Sequence, residues 1–548
     1  MERKVKGDTL SLRGDSKAVL GLVFLAGVML FGVGAAKAAP KPAPRRVMNI
    51  VNFVRGCDPR DPKLDLVKPF RAEVELNTKY NLENTVLLQY DAILREDMMA
   101  VVKAADSERT EIGLWFEVVK PMVESAGLKW RGRNGWAWDW YINPGFLMAY
   151  TQEQRRILCD EAFRLFKETF GHYPESVGSW LLDAYSMDYM AERYGVKAFC
   201  ICREQDNTDA YGLRGGYFNG AYYPSKRNML SAAIDMENAV KTPVFKMLTP
   251  DPIYNYANSV GPGPHGPPTL EPVWESGQTK AITDWYFRIY AEDPKGLLGL
   301  SYMQTGQENS FGYDAIMKGL PYQIQRIAEL RDKGLLSVEK MCDTGRRFAA
   351  ENPANCVQTQ VAMEDWRKLG RKSVWYNSKF YRANLLMDGK RLFFRDIHKM
   401  SDSYEEPYLH KVCKGWQALY YTPPVVDEFL FKTKDRTGVM TLDGEFASLE
   451  VATADDETLV ATAKRTDGST AEVRLTRGSI FVRGATLTFE GKDEFVQDMH
   501  RVGDALSMVF GNYRYKVKLD GQFAPTQKGY LLRPVNGVIA LDLGRYVD

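Results

Sequence analysis

The feature that most constrains this chain is a regular alternation of strand-like and helix-like segments from residue 47 to about residue 350. The strand-like runs are short, apolar on both faces and rich in β-branched and aromatic residues, which is typical of strands buried in a parallel sheet. Alternation over this length favours a βα barrel over an open doubly wound sheet. The predicted strands are 47–54, 85–90, 111–116, 176–181, 198–202, 244–248 and 297–303.

Helical signals lie between these strands. Thr151 is followed three residues later by Gln154, a pattern typical of a capping box, and an apolar stripe then continues to Phe170. The segments 187–194 and 313–333 are also predicted as helices. We therefore assign residues 47–354 to a (β/α) barrel domain of the kind that carries catalysis.

The pattern changes at about residue 437. Short alternating runs separated by polar turns, among them Asp467-Gly468 and Asp520-Gly521, replace the helical periodicity. This pattern predicts a β-sandwich over residues 437–548. Residues 355–436 are mixed and rich in aromatic residues, and we predict that they form a connecting region packed on the barrel.

The first 38 residues have the order of an export signal. Residues 1–17 are net positive, residues 18–36 are almost all apolar, and Ala36-Lys37-Ala38 fits a small-x-small cleavage site before Ala39. We expect a cleaved signal peptide over residues 1–38 and a periplasmic or secreted protein. The alternative is an uncleaved membrane anchor, because the apolar run is about as long as a spanning helix.

Composition excludes several classes of function. Removing residues 1–38 takes away six Lys/Arg and three Asp/Glu, so the formal charge moves from +2 to −1. A near-neutral chain without a basic run has no nucleic-acid footprint. The seven cysteines form no CxxC pair, which argues against structural zinc, and no GxGxxG or P-loop stands at a strand–helix junction. We expect no cofactor, and no membrane contact beyond the export signal.

Carboxylates follow several predicted strands. Because active sites of parallel α/β domains lie at the carboxyl ends of strands, these side chains are the first candidates for chemistry. The polar residues at these positions are Asp91, Glu117, Asp183, Asp251, Gln307 and Glu308. A set of carboxylates without a histidine pair suits acid/base and nucleophilic chemistry on a glycosidic bond. Each one individually could instead cap a helix or pair with an arginine.

Aromatic residues near these strand ends favour a carbohydrate partner. A loop rich in Gly, Arg and Asn, residues 130–143, places several aromatic rings after the third strand, where flat faces can stack on sugar rings. The alternative is that these rings pack the loop onto the barrel. The residues assigned to substrate binding are Asp91, Asp251, Trp115, Trp136, Trp138, Trp180, Tyr185 and Gln307.

Two segments carry a resemblance to a known family. The run 178–185, Gly-Ser-Trp-Leu-Leu-Asp-Ala-Tyr, followed by the run 190–196, resembles the nucleophile segment of glycoside hydrolase family 57. Asp183 stands where that family has its nucleophilic Glu. The run 306–312, Gly-Gln-Glu-Asn-Ser-Phe-Gly, resembles the family's acid/base segment, with the acid/base Asp replaced by Gly306. The segment around Asp183 also resembles a strand of polysaccharide deacetylases, and the whole chain resembles an uncharacterised secreted bacterial branch of this superfamily.

The resemblance implies a distorted (β/α)7-type barrel and a glycoside hydrolase. Asp183 is then the first candidate for nucleophile or base, Glu308 for general acid, and Glu117 is the reserve. A non-catalytic carbohydrate-binding protein on a degenerate barrel is the alternative. A metal-dependent deacetylase is third, because that chemistry needs an Asp and a His pair and the five histidines are not paired at metal-binding spacing.

Overall fold

The computed structural model of the protein describes residues 44–205, 210–256, 268–497 and 499–544. The predicted signal peptide, residues 1–38, lies outside the described residues. Among the described residues no helix combines the length and apolar character needed to cross a membrane.

The first half of the described chain is built on a parallel sheet. Seven parallel strands lie in the order β11-β1-β2-β3-β4-β5-β10, with β7 antiparallel at the β10 edge and the short β12 also paired with β1. All seven strands predicted from the sequence are present. The strands of this half are β1 Arg45–Val54, β2 Asn84–Gln89, β3 Thr110–Trp115, β4 Ser176–Gly178, β5 Ala198–Cys202, β6 Tyr211–Arg214, β7 Ala221–Tyr222, β8 Pro224–Ser225, β9 Asn228–Ala232, β10 Val244–Met247, β11 Leu300–Thr305 and β12 Ser337–Val338.

The parallel sheet curls so that its inner faces share one apolar cluster. Side chains from six of its seven parallel strands meet there, including Phe53 of β1, Trp115 of β3, Phe245 of β10 and Tyr302 of β11. Among the described residues, β10 and β11 share no ladder of backbone hydrogen bonds. A side chain bridges this gap, because the Thr249 hydroxyl donates to the Gln304 carbonyl at 2.8 Å and accepts from the Gln304 amide at 2.7 Å.

Helices between residues 67 and 351 cover the outer face of the parallel sheet, and two short helices lie in the antiparallel half. The predicted capping box is present, since Thr151 Oγ1 accepts from the Gln154 amide and the Gln154 side chain accepts from the Thr151 amide. The α-helices are α1 Val67–Lys79, α2 Tyr90–Ile93, α3 Glu96–Ala104, α4 Lys120–Ser125, α5 Ile142–Gly145, α6 Gln152–Phe170, α7 Ala184–Tyr194, α8 Glu275–Gln278, α9 Lys280–Phe287, α10 Tyr313–Ile316, α11 Leu320–Asp332, α12 Met341–Glu351, α13 Glu428–Phe431 and α14 Asp493–Gln497. Single turns of 3₁₀ helix occupy Leu147–Ala149 and Asn309–Phe311, and a π-helical turn occupies Arg288–Glu292.

The second half consists of two large antiparallel sheets. One has the order β13-β14-β15-β16-β19-β24-β29-β28 with β18 on β16, and the other β20-β21-β22-β23-β30-β27-β26-β25. Apolar side chains from both sheets form one core. The strands are β13 Gln358–Ala362, β14 Lys372–Asn377, β15 Tyr381–Asp388, β16 Arg391–Lys399, β17 Ala418–Tyr421, β18 Pro424–Asp427, β19 Met440–Leu442, β20 Phe446–Asp455, β21 Thr458–Arg465, β22 Thr470–Leu475, β23 Ser479–Arg483, β24 Leu487–Glu490, β25 His500–Val502, β26 Ala505–Phe510, β27 Tyr513–Asp520, β28 Gln522–Pro525, β29 Gly529–Arg533 and β30 Val538–Asp542.

Residues 355–436, which we predicted as a mixed connecting region, contribute β13 to β16 and β18 to the first antiparallel sheet. The antiparallel half therefore begins at Gln358 and not at residue 437. These strands are buried along nearly their whole length, because one face contacts the second sheet and the other faces the parallel half. The rings of Trp375 on β14 and Phe218 stack with centroids 4.0 Å apart across this contact.

Candidate active site at the carboxyl ends of the parallel strands

A buried arginine joins two carboxylates at the edge where β1, β3 and β11 end. Arg55, directly after β1, donates to Glu117 through Nη2 at 2.7 Å and Nε at 2.8 Å. The same guanidinium places Nη1 2.6 Å from Glu308 Oε2. Gln89, the last residue of β2, donates to Glu117 at 2.6 Å. Four neighbouring strand ends thus supply one connected polar group.

Glu308 is the carboxylate of this group whose protonated form is favoured by burial. It is 5% exposed, and burial, as the largest influence, raises its pKa above the ordinary value in spite of Arg55 and Arg60. Ser310 donates its hydroxyl proton to Glu308 Oε1 at 2.9 Å and in turn accepts from Arg55. The backbone around Glu308 is fixed to β1, because the Phe53 amide donates to the Gln307 carbonyl.

Asp91 lies beside this group at the end of β2. Its Oδ1 accepts from the Gly56 amide at 3.0 Å, whereas its Oδ2 makes no hydrogen bond to an N–H or O–H donor of the described residues. Burial raises the pKa of Asp91, and the charge of Glu117 adds to that shift. The thiol of Cys57 is a further neighbour, and its pKa is raised by burial and by Asp91. Asp91 is therefore held between the Gly56 amide and the Cys57 thiol at the side of the polar group.

The predicted aromatic residues divide into buried and accessible rings. Trp115 is fully buried and stacks on Phe53 with centroids 4.3 Å apart. Trp138 is 1% exposed and lies over the Arg55 guanidinium at 4.1 Å. Because their faces are covered, these two rings pack the site and do not offer a stacking surface. Trp180 is half-buried and makes edge-to-face contacts with both Trp115 and Phe53.

Two other predicted aromatics lie apart from the polar group. Trp136 is half-buried and covered by the Arg133 guanidinium at 3.6 Å. Arg133 is itself paired with Asp139 at 2.7 Å, so this ring belongs to a local loop cluster. Tyr185 is half-buried in the first turn of α7. No contact is recorded between either ring and Arg55, Glu117 or Glu308 among the described residues.

Asp183, the first candidate for nucleophile, is used structurally. It is the N-cap of α7: Oδ1 accepts from the Ser186 amide at 3.0 Å, and Oδ2 accepts from the Ser186 hydroxyl at 2.7 Å. Arg155 on α6, 1% exposed, donates to Oδ1 at 2.8 Å. The carboxylate is fully buried, and both oxygens are occupied. Its geometry favours helix capping and ion pairing over attack on a substrate.

Asp251 and Gln307 are also held by neighbours. Asp251 Oδ1 accepts from the Ile253 and Tyr254 amides, and Trp366 donates to Oδ2 at 2.7 Å, so this carboxylate fixes the turn after β10. Burial raises the pKa of Asp251 to about 6. Gln307 donates its amide to Glu271 at 2.7 Å and is fully buried. Neither side chain is placed to contact a substrate at Arg55.

Sequence reasoning missed the residues that organise the site, namely Arg55, Gln89 and Ser310. The signal was present, because the rule that selected Asp91 and Glu117 also selects polar residues at the ends of β1 and β2. Of the residues at the ends of β1 and β2, only Asp91 was predicted as a site residue. A buried pair of carboxylates needs a compensating cation, and Arg55 follows β1 directly.

One group elsewhere has the composition of a metal site. Asp396, His398 and Asp427 each offer a ligand atom, and the three atoms lie within 4.8 Å of one another, fully buried. The atoms already have partners, however: Arg382 holds both oxygens of Asp396 at 3.0 and 2.7 Å, and His398 Nε2 lies 2.9 Å from Asp427. A cation here would have to displace a guanidinium, so these residues do not fit a metal ion.

Comparisons with known proteins were consistent with this fold. No family model and no curated protein matches the chain. A solved structure of a provisionally assigned glycoside hydrolase/deacetylase from Parabacteroides distasonis superposes with a TM-score of 0.56 at 15% identity, covering 70% of this chain and 91% of that one. This similarity shows the fold alone.

Two more distant solved structures also align. A provisionally assigned polysaccharide deacetylase from Pseudomonas aeruginosa PAO1 has a TM-score of 0.34 at 13% identity, covering 56% of this chain and 93% of that one. A GH57-type branching enzyme from Pyrococcus horikoshii has a TM-score of 0.30 at 10% identity, covering 56% and 70%. Structural neighbours therefore include both groups named by the sequence resemblance, but at these TM-scores they carry no argument about function.

Proposed function

We propose that the chain hydrolyses glycosidic bonds of a polysaccharide or oligosaccharide at the strand-end group formed by Arg55, Asp91, Glu117 and Glu308. The observation that carries the proposal is the single guanidinium of Arg55 in contact with both Glu117 and Glu308. Glycosidic hydrolysis by two carboxylates needs an acid and a second carboxylate on opposite sides of one bond. A shared arginine keeps two carboxylates within one small site.

Glu308 is assigned the role of general acid. A proton donor must carry its proton near the working pH, and burial of Glu308 shifts its pKa in that direction. The Ser310 hydroxyl holds one oxygen, which orients the other carboxyl oxygen relative to Arg55. Glu308 would donate its proton to the leaving-group oxygen as the glycosidic bond breaks, and a water molecule would add its hydroxyl to the anomeric carbon and lose its proton, either directly or after a covalent intermediate with Glu117.

Glu117 is assigned as the ionised second carboxylate. It accepts three charge-assisted or amide hydrogen bonds, two from Arg55 and one from Gln89, which fix both of its oxygens. A sugar hydroxyl would have to replace the Cys57 thiol as the partner of Asp91, and the half-buried Trp180 would stack on a sugar ring. Glu117 is 1% exposed, against 5% for Glu308 and 9% for Asp91, so a substrate would reach Glu308 and Asp91 before Glu117.

The second candidate function is carbohydrate binding without catalysis. The observation that favours it is the same arginine, because Arg55 neutralises part of the charge of both carboxylates and both are at least 95% buried. In that case the group would supply hydrogen bonds to a sugar but no proton transfer. Binding and turnover separate the two functions.

The test is a screen of polysaccharides for release of reducing ends by the wild-type protein and by Glu308→Gln. The matched control is Glu111→Gln, since Glu111 is a buried carboxylate with a raised pKa at the opposite end of β3. Loss of turnover in Glu308→Gln alone, with binding retained, supports the hydrolase. Binding by both variants and by wild type, without turnover, supports the binding protein. Activity abolished by a chelator and restored by zinc contradicts the two-carboxylate scheme.

A further inference from the structure

A small pocket lies away from the strand-end group, between the turn that follows β10 and the first antiparallel sheet. Its volume is about 100 Å³, enough for a group of several heavy atoms. Tyr256 of the turn forms one wall, and Arg371, Asp388 and Glu428 stand around it. Arg395 on β16 also lines it and is 3% exposed.

Arg395 differs from the other buried arginines described above in what it contacts. Its Nε donates to Asn384 Oδ1 at 2.6 Å, Nη1 to the Ile253 carbonyl at 2.6 Å and Nη2 to the Pro252 carbonyl at 2.9 Å. All three acceptors are neutral. A guanidinium has five N–H groups, so two are left over after these three bonds.

No carboxylate of the described residues lies within ion-pair distance of Arg395. By contrast, Arg55, Arg155 and Arg382 are equally buried, and each has a carboxylate oxygen at 2.6 to 2.8 Å. A buried charge without a contacting counter-charge is costly, and burial lowers the pKa of Arg395 although the charges of nearby carboxylates, Glu428 foremost, act in the opposite direction. An anion in the adjoining pocket would supply a charge in direct contact and accept the two remaining N–H groups.

We propose that this pocket binds a small oxyanion group, a carboxylate, sulfate or phosphate, with Arg395 as its principal donor. The guanidinium is fixed in position by Asn384, whose own amide donates to Ser373 and to the Val374 carbonyl. The ring of Tyr256 lies 5.0 Å from the guanidinium and walls the pocket on one side. A planar donor fork held in this way matches the geometry of an oxyanion.

The two carboxylates of the pocket set its selectivity. Asp388 is paired with Arg371 at 2.9 and 3.0 Å, so its charge is largely compensated. Glu428 forms a long ion pair with Lys432, at 3.7 Å, and its charge opposes an incoming anion. Glu428 therefore weakens anion binding, and neutralising it must strengthen binding if the pocket takes an anion.

The test is calorimetric titration of the full chain with sulfate, phosphate, acetate and glucuronate, with sodium chloride holding ionic strength constant. We expect saturable binding that Glu428→Gln tightens several-fold. Arg371→Gln should weaken it several-fold, because that change leaves Asp388 unpaired, and Arg395→Lys should weaken it at least tenfold. Arg367→Gln is the matched control. Arg367 and Arg371 both lie over the Tyr254 ring, but Arg367 does not line the pocket, so its replacement should leave the affinity unchanged.

The comparison of ligands identifies the source of the oxyanion. Glucuronate binding more tightly than acetate assigns an acidic sugar, and equal or weaker binding assigns a free small anion. If Arg395→Lys does not fold, Glu428→Gln and Arg371→Gln decide the question alone, since both positions are partly exposed. Absence of saturable binding, or equal affinity in wild type, Glu428→Gln and Arg371→Gln, overturns the proposal.

Discussion

Arg55 and Glu117 form a two-pronged buried ion pair, with Nη2 to Oε1 at 2.7 Å and Nε to Oε2 at 2.8 Å. Both side chains are at most 3% exposed. The third nitrogen of the guanidinium reaches Glu308, so one cation faces two carboxylates. Burial is the largest influence on Glu308 in this arrangement and raises its pKa.

Replacing Arg55 by Lys should separate the two carboxylates. A lysine ammonium is a point charge and cannot hold Glu117 by two parallel bonds while contacting Glu308. Removing one partner of a buried ion pair costs about 3–5 kcal/mol. Arg55→Lys keeps a positive charge at this position, so it should lower the unfolding free energy by less than that. Turnover should fall by about 100-fold, because a small misplacement of catalytic groups has that effect.

The control for Arg55→Lys is Arg133→Lys. Arg133 also binds its carboxylate, Asp139, by two parallel bonds, but it lies in the loop after α4 and its side chain is 35% exposed. Its replacement should change turnover little. Equal turnover in wild type and Arg55→Lys, measured as kcat/KM on the same glycan, contradicts the assigned role of Arg55.

The acid role of Glu308 predicts a specific pH dependence. Because the pKa of Glu308 is raised in the folded protein, the protonated form persists above the ordinary range of a glutamic acid and is lost as pH rises through the shifted value. Activity that requires the proton should therefore decline on the alkaline side. Glu308→Gln should abolish this limb and should impair substrates with poor leaving groups most. A pH–rate profile on glycans and on aryl glycosides measures both effects.

Replacing Asp183 by Asn tests the nucleophile suggested by the resemblance. The structure predicts loss of stability and not a selective loss of chemistry, because Asn cannot satisfy Arg155 and that residue is then buried without its partner. The unfolding free energy should fall by about 3–5 kcal/mol. Urea unfolding and kcat on folded protein separate the outcomes: a fully stable, inactive Asp183→Asn protein would restore Asp183 as nucleophile.

The comparison of Asp183 with Glu308 shows what the sequence could and could not predict. Both were correctly placed after parallel strands, because short buried runs bounded by polar residues identify strand ends well. An Asp before a helix is also one of the preferred N-cap residues, and Asp183-Ala-Tyr-Ser186 satisfies that rule equally. Which oxygen-bearing side chain turns toward the site depends on Arg55 and Arg155, whose partners are distant in sequence.

The antiparallel half shows a second limit of predicting strands from the sequence. Strands β20 to β23 expose one face to solvent, so their alternating pattern was predicted closely. Strands β13 to β16 are buried on both faces and do not alternate, and their aromatic residues gave no period. A period of two in hydrophobicity marks a strand only where one face meets water.

The first 38 residues predict where the mature chain begins. Their order of basic, apolar and small residues predicts cleavage at or near Ala39 and location in the periplasm or medium. Mass spectrometry of the exported protein should give a mass that begins at or near this residue. A substitution of Ala38 by a bulky residue should block processing, with the matched substitution of Ala43 as the control. An intact Met1 on the exported protein contradicts the prediction.

Glu406 predicts how stability changes with pH. Burial, reinforced by the charge of Asp183, raises the pKa of Glu406 to about 8. Since the unfolded value is about 4.3, the folded state binds the proton more tightly, and this stabilisation is complete below pH 4.3 and lost as pH rises through 8. The unfolding free energy should therefore decrease between pH 5 and pH 8, by up to about 1.4 kcal/mol per pH unit from this residue.

Glu406→Gln removes this dependence, because the amide carries no titrating proton. The variant should be less stable than wild type at pH 5, by about 1–3 kcal/mol, since Glu406 accepts from the Ala184 and Met229 amides and Gln has one acceptor oxygen. The difference should narrow toward pH 8, where wild-type Glu406 loses its proton beside Asp183. Urea unfolding at each pH measures both curves, with Glu405→Gln as the control because Glu405 is exposed. Parallel curves for wild type and Glu406→Gln would show that Glu406 does not titrate in this window.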